Sequence, residues 1–217
     1  MIKPGVCPVC EKRRPERYCP AKGETICAVC CGTEREVTLD CPGDCSYLIA
    51  AHRYEGEHQK PLAQSEVPFP AIEFSSKLIY EREPVMSRLG YAILRFAAEW
   101  RELTDLHILT AVTALAETYR TLSSGIYYEK PPADSIANGL YVALANCAQD
   151  SKKQESERPG ATPLKDVEIF YLLVFLARMV RVRTNGRPRA RIFLGFLRTQ
   201  FPSAEEIAPE PSRIIIP

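Results

Sequence analysis

Cysteine placement constrains this chain more than any other feature of its sequence. Eight of the nine cysteines fall before residue 46, and Cys147 stands alone far downstream. Thiolates spaced two or three residues apart are typical of structural zinc sites. The N-terminus lacks the apolar stretch of a secretion signal, so we expect reduced thiols that ligate metal and do not form disulfides. The sequence therefore predicts two zinc ions per chain, with eight ligands: Cys7, Cys10, Cys19, Cys27, Cys30, Cys31, Cys41 and Cys45.

The division of these thiols between two ions has two interpretations. Adjacent residues of an extended strand point to opposite faces, which would send Cys30 and Cys31 to different ions. This favours an interleaved partition, Cys7/Cys10/Cys27/Cys30 and Cys19/Cys31/Cys41/Cys45. The competing treble-clef partition joins Cys7/Cys10 to Cys41/Cys45 and leaves Cys30 and Cys31 on the same ion.

The motifs CPVC, YCP, ICAVCCG and DCPGDCSYL, in this order, resemble the cross-brace treble-clef class that includes B-box, MYND and HIT-type fingers. The match covers roughly residues 5–55. It departs from those families because the second pair lacks a clean C-x2-C and no terminal His or Cys follows at the expected place. The CCG segment and the later CPGDCSYL segment also resemble N-terminal motifs of uncharacterised bacterial proteins. The resemblance implies a finger that binds proteins, sometimes nucleic acid, and rarely catalyses a reaction.

His52 is a further candidate ligand because it follows the last cysteine pair. If a helix begins near Cys45, His52 lies two turns further on, about 10 Å along the helix axis. Ligands of one ion must approach more closely than that. We therefore predict that His52 lies on a solvated helix face.

The rest of the chain predicts a second domain. The expected fold class is a small zinc-stabilised α+β finger module (residues 1–58) followed by an all-α helical bundle domain (73–217), joined by a proline-containing linker (59–72). In the finger, Arg17–Cys19, Glu24–Cys27 and Arg35–Leu39 are expected to be extended, and a helix is expected from Ser46 to about His58. Five or six helices are expected in the bundle, with residues 151–161 forming a polar loop.

The arginine segment, residues 178–198, is the second unusual feature. Between Ile169 and Ala204 the chain carries seven arginines and no acidic residue. Arg183 lies at the end of a predicted helix, where the macrodipole favours cations. Arg187, Arg189 and Arg191 precede the next helix, where the dipole disfavours them. Two compensating anions are considered: the acidic stretch 61–150, packed against them in one domain, or the phosphates of a nucleic acid.

These features predict a non-enzymatic zinc-binding interaction protein. The finger is expected to dock a protein partner, and Arg183, Arg187, Arg189 and Arg191 are the candidates for nucleic-acid contact. One alternative is a pure protein–protein adaptor with internally paired arginines, and another is an iron–sulfur or redox protein. No phosphate loop, dinucleotide fingerprint or hydrolase motif is present, so we expect no catalysis. No apolar run is long enough to cross a membrane, and we expect a cytoplasmic protein.

Overall fold

The computed structural model describes residues 5–59, 61–160 and 162–201. It confirms the predicted fold class: a small β-hairpin with a cysteine cluster precedes a mostly helical domain. In the N-terminal part, strands β1 (Arg17–Cys19) and β2 (Glu24–Ile26) are followed by helices α1 (Ala28–Glu34) and α2 (Ser46–Glu57).

The hairpin pairs β1 and β2 in antiparallel register, with Arg17 opposite Ile26 and Cys19 opposite Glu24. Gly23 takes a φ of 69° in the connecting turn, a left-handed conformation that glycine adopts without a Cβ clash. The turn closes with the Gly23 amide donating to the Cys19 carbonyl at 2.9 Å. This short hairpin places Cys19 and Cys27 near its two ends.

Two local predictions in the finger are wrong. Cys30 and Cys31 lie in helix α1 and not in an extended strand, because Cys27 caps the helix by accepting a hydrogen bond from the Cys30 amide. Residues Arg35–Leu39 form turns closed by one isolated bridge instead of a strand. The Glu34 carbonyl accepts the amides of Val37, Thr38 and Leu39, which folds this stretch back on itself.

A 3-10 turn (Gln64–Glu66) lies within the predicted linker. The helical domain then consists of α3 (Ser76–Glu81), α4 (Glu83–Glu99), α5 (Asp105–Ser123), α6 (Ser135–Glu157), α7 (Asp166–Arg183) and α8 (Ile192–Gln200). Helix α5 packs on α6 and α7, and α4 packs on α6. The predicted polar loop over 151–161 is wrong in its first half, because α6 continues to Glu157. Ser151 and Glu155 are buried there, and Glu155 lies 3.7 Å from the Arg82 guanidinium.

The two parts of the chain have separate apolar clusters. Helix α7 supplies the centre of the larger cluster, which consists of residues from the helical domain. The smaller cluster consists mainly of cysteines, with Ile26 and Leu39 as its buried aliphatic side chains. The finger therefore buries little aliphatic surface of its own, and its stability must come from elsewhere.

Helix α8 is held by a carboxylate from α5. Asp105 is fully buried and accepts the amides of Phe193 at 3.0 Å and Leu194 at 3.4 Å. Burial raises the pKa of Asp105 to about 6, although these amide bonds oppose the change. Arg191 at the N-cap of α8 makes no side-chain cap bond, so Asp105 supplies the cap from a distant part of the sequence.

Residues of the predicted linker also contact the helical domain. The Arg178 guanidinium donates to the carbonyls of Pro68, Phe69 and Ile72 at 2.6–3.0 Å. Phe69 and Ile72 pack against the large apolar cluster. Among the described residues, no helix is both long and apolar enough to span a bilayer.

Candidate metal site and its contacts with the arginine segment

Four cysteines converge at one end of the hairpin. Cys7 and Cys10 lie in a tight N-terminal turn, Cys27 caps α1, and Cys30 lies in its first turn. Their sulfur atoms all lie within 4.8 Å of one another, and Cys10 Sγ is 3.9 Å from Cys27 Sγ. A zinc ion with Zn–S bonds of about 2.3 Å separates tetrahedral sulfurs by about 3.8 Å, so the group could hold a zinc ion.

Backbone amides prepare two of these thiols for ionisation. The amides of Lys12 and Arg13 lower the pKa of Cys10 to about 6. Burial opposes ionisation of Cys7, but the amide bonds from Cys27, Cys10 and Val9 outweigh it and lower its pKa. Burial and the neighbouring thiols raise the pKa of Cys30 to about 12. Without a metal the group resists full ionisation, whereas a divalent cation would offset the repulsion among four thiolates.

The other four cysteines line one small cavity of about 10 Å³. They come from the end of β1, the middle of α1, the segment before α2 and the N-cap of α2, in this order: Cys19, Cys31, Cys41 and Cys45. Burial raises the pKa of Cys41, and the charges of Cys19 and Cys45 raise it further. Their sulfur atoms do not form a group as close as the first one within the described part of the chain.

His52 is not on a solvated helix face, contrary to prediction. Its Nε2 lies 2.9 Å from Oε2 of Glu36, whose side chain is 3% exposed. Asn185, from the α7–α8 connection, donates to the same carboxylate oxygen at 2.9 Å. Burial would raise the pKa of Glu36, but these hydrogen bonds and the nearby Arg187 charge hold it below its ordinary value. His52 thus helps to hold a buried carboxylate and does not belong to the metal group.

Two arginines of the arginine segment contact the finger. Arg187 donates to the carbonyls of Gly32 at 3.2 Å and Arg35 at 2.7 Å, at the negative end of α1, and lies 3.6 Å from Glu55. Arg191 pairs with Asp40 and also donates to the carbonyls of Leu103 and Arg101. Their acidic partners therefore come from the finger and not from the stretch 61–150. Of the two compensating anions considered from the sequence, the carboxylates of the stretch 61–150 are therefore not the partners of Arg187 and Arg191, because the α7–α8 connection folds onto the finger.

The other two candidates have exposed side chains. The Arg183 guanidinium stacks over the Phe196 ring at 3.5 Å from its centroid. Arg189 uses its backbone amide, which donates to the Glu36 carbonyl at 2.8 Å, while its side chain is exposed. The structure thus divides the four nucleic-acid candidates into a pair bound to the finger and an exposed pair.

Comparisons with models of protein families, with curated proteins and with solved structures found no match for this chain. No family is therefore identified, and the functional assignment depends on the site itself. What is shown is an N-terminal four-cysteine group that could hold a metal ion, next to a β-hairpin.

Sequence reasoning missed the residues that join the two parts of the chain. Glu36 and Asn185 belong to none of the cysteine motifs, and Glu36 lay in a stretch predicted as a strand. Asp40 begins the motif DCPGDCSYL, but the cysteine spacing of that motif does not indicate an arginine partner. Its positive φ of 53° is uncommon for a non-glycine residue and has no sequence signal. Only the clustering of arginines without acids indicated that an anionic surface had to meet this segment.

Proposed function

We propose that this protein is a non-enzymatic zinc-binding interaction protein whose finger docks a protein partner. The observation that supports this most is the closed group Cys7, Cys10, Cys27 and Cys30. Four thiolates fill a tetrahedral zinc site and leave no position for water or substrate, as expected of a structural ion. The metal would then shape a binding surface and take no part in a reaction.

We further propose a second zinc ion bound by Cys19, Cys31, Cys41 and Cys45, as in the interleaved partition. The cavity that these residues share has room for about one water-sized particle, too little for an organic ligand. Cys30 and Cys31 are adjacent in a helix, so their side chains project about 100° apart and reach different ions. This arrangement of two sites would place the finger in the cross-brace treble-clef class.

Metal analysis tests this proposal. We expect elemental analysis of the purified chain to give two zinc ions and no visible absorption. Cys10→Ser and Cys41→Ser should each lower the zinc content by about one ion, because each removes a ligand from a different site. Cys147→Ser is the matched control and should leave it unchanged. One zinc ion per chain would refute the second site, and a coloured, iron-containing protein would favour the iron–sulfur alternative.

Protein docking is favoured over nucleic-acid binding by charge. Residues 1–60 hold 9 Lys/Arg and 9 Asp/Glu, to which eight thiolates and two zinc ions would add about −4. Arg187 and Arg191 are engaged with the finger, which leaves Arg183 and Arg189 as the candidates for phosphate contact. The finger also exposes apolar side chains: Tyr18, Val29, Val37 and Ile49.

Site-specific photo-cross-linking tests the docking function. We expect a cross-linker at Val29 or Ile49 of the full chain, expressed in its native cell, to capture a defined protein. Val142, equally exposed on α6, is the matched control position and should capture none. Capture should also disappear in Cys10→Ser, because the finger surface depends on its metal. Equal capture from all three positions would refute docking by the finger.

A nucleic-acid titration of the same protein completes the test. We expect no saturable binding to duplex or single-stranded probes at about 50 mM salt, because the two exposed candidates, Arg183 and Arg189, together supply at most two phosphate contacts. Saturable binding with a log–log salt slope near −2, abolished in the double variant Arg183→Gln/Arg189→Gln, would instead support nucleic-acid recognition.

A further inference from the structure

A groove of about 680 Å³ lies between α4 and α6, away from the finger's cysteines. Cavities of roughly 300–1,000 Å³ are the size that binds small molecules. Its walls include the small apolar side chains of Ala92 and Ala143 and the ring of Phe96, together with several polar groups. Neither the metal nor the arginine segment explains this groove.

Two polar atoms of groove-lining residues are buried without a hydrogen-bond partner among the described residues. One is Oγ of Ser151, a residue only 1% exposed, and the other is Nη1 of Arg88. Both are donors, and a buried donor without an acceptor carries a desolvation cost that a ligand oxygen would remove. The Arg88 and Ser151 side chains that line the groove are therefore suited to a group that accepts hydrogen bonds.

The charges around the groove specify this ligand further. Arg88 and Arg95 both line it and have no acidic partner within ion-pair distance in the part of the chain described. Asp150 and Glu99 also line the groove and oppose an anion. We propose that the groove binds a small organic anion, with its carboxylate or phosphate group on Arg88 and Ser151 and its apolar part on Ala92 and Ala143.

Cys147 lines the same groove and provides a reporter for its occupancy. Burial raises the pKa of this thiol, although the Arg88 guanidinium opposes the change, so alkylation should be slow enough to follow by peptide mass spectrometry. On the full, zinc-loaded chain we expect hexanoate or hexyl phosphate at about 10 mM to slow alkylation of Cys147 about sixfold, as a Kd near 2 mM would give. Comparing the two probes identifies which anionic group is preferred.

Three substitutions test the role of charge. Arg88→Met should lower the affinity for the protecting probe about tenfold or more, because it removes a charged hydrogen bond to the anion. Asp150 has an exposed side chain, and Asp150→Asn should raise the affinity for the probe, because a charge that repels the anion is lost. Arg198→Met, exposed on α8, is the matched control and should change nothing. Circular dichroism verifies the fold of each variant.

Several outcomes would overturn the proposal. Protection by neither organic anion would mean that the groove has no such ligand, and equal protection by hexylammonium would mean that charge plays no part. Equal protection by inorganic phosphate alone would show that the apolar walls are not used. Because Asp150→Asn leaves the buried groups intact, a failure of this variant to tighten binding would contradict the proposal even if Arg88→Met were unstable.

Discussion

Removal of the metal by a strong chelator is expected to unfold the finger, residues 1–58, while the helical domain keeps its fold. The small cluster of the finger contains Ile26 and Leu39 as buried aliphatic side chains, and its other buried residues are cysteines. A structural zinc site supplies about 10–16 kcal/mol of folding free energy, which this small apolar core cannot replace. The helical domain has its own apolar cluster, to which no predicted zinc ligand belongs.

Circular dichroism and limited trypsin digestion measure this effect. Most of the helical signal should persist, because α1 and α2 are the helices that the finger contributes. Trypsin should then cleave after Arg13 and Lys22 in the unfolded finger, whereas the Arg14–Pro15 bond resists trypsin. Trypsin should also cleave after Arg189 and Arg191, because the α7–α8 connection loses the finger contacts made by Asn185, Arg187 and Arg191. Added zinc should reverse both changes. Collapse of the whole helical signal together with zinc loss would contradict the two-domain prediction.

Replacing Arg187 with Met is expected to lower the free energy of unfolding by about 2–3 kcal/mol. The substitution removes two hydrogen bonds to carbonyls at the end of α1 and a favourable charge beside the buried Glu36. Breaking a fully buried ion pair costs about 3–5 kcal/mol, and the Arg187 side chain is 28% exposed, so a smaller value applies. The size of this change measures how much the contact between the arginine segment and the finger stabilises the folded chain.

Arg189 provides the matched control for Arg187. Its side chain is exposed, and its contact with Glu36 uses the backbone amide, so Arg189→Met should change stability by no more than about 0.5 kcal/mol. Urea denaturation of zinc-loaded protein measures both variants. Equal effects at the two positions, or a neutral Arg187→Met, would mean that the arginine segment is not an internal contact in solution.

The arginine contacts also explain why the chain carries many arginines and no acidic residue between Ile169 and Ala204. Arg187 and Arg191 lie beside the carboxylates of Glu55 and Asp40, and Arg181 lies beside Glu66. Because opposite charges meet in the folded chain, a basic C-terminal stretch does not by itself indicate a nucleic-acid surface. This contact geometry is the reason that a protein partner is the stronger proposal.

The sequence by itself determined the features that depend on local spacing. The cysteine pairs predicted a metal-binding module, because a C-x2-C turn brings two thiols together without help from the rest of the chain. Apolar periodicity predicted the helical domain, because a buried helix must repeat its apolar face every three to four residues. The hairpin residues Arg17–Cys19 were also predicted, since turn residues separate them from the next strand.

Only the tertiary structure decided how these parts meet. The Arg187 and Arg191 partners lie about 150 positions away in the finger, and a contact between such distant residues leaves no periodic signal in one sequence. The same holds for Asp105, which caps α8 from α5, and for Glu36, whose carboxylate is buried by His52 and Asn185. Local spacing determines which thiols lie close together and where helices form. The burial of isolated charged groups depends instead on which surfaces pack together.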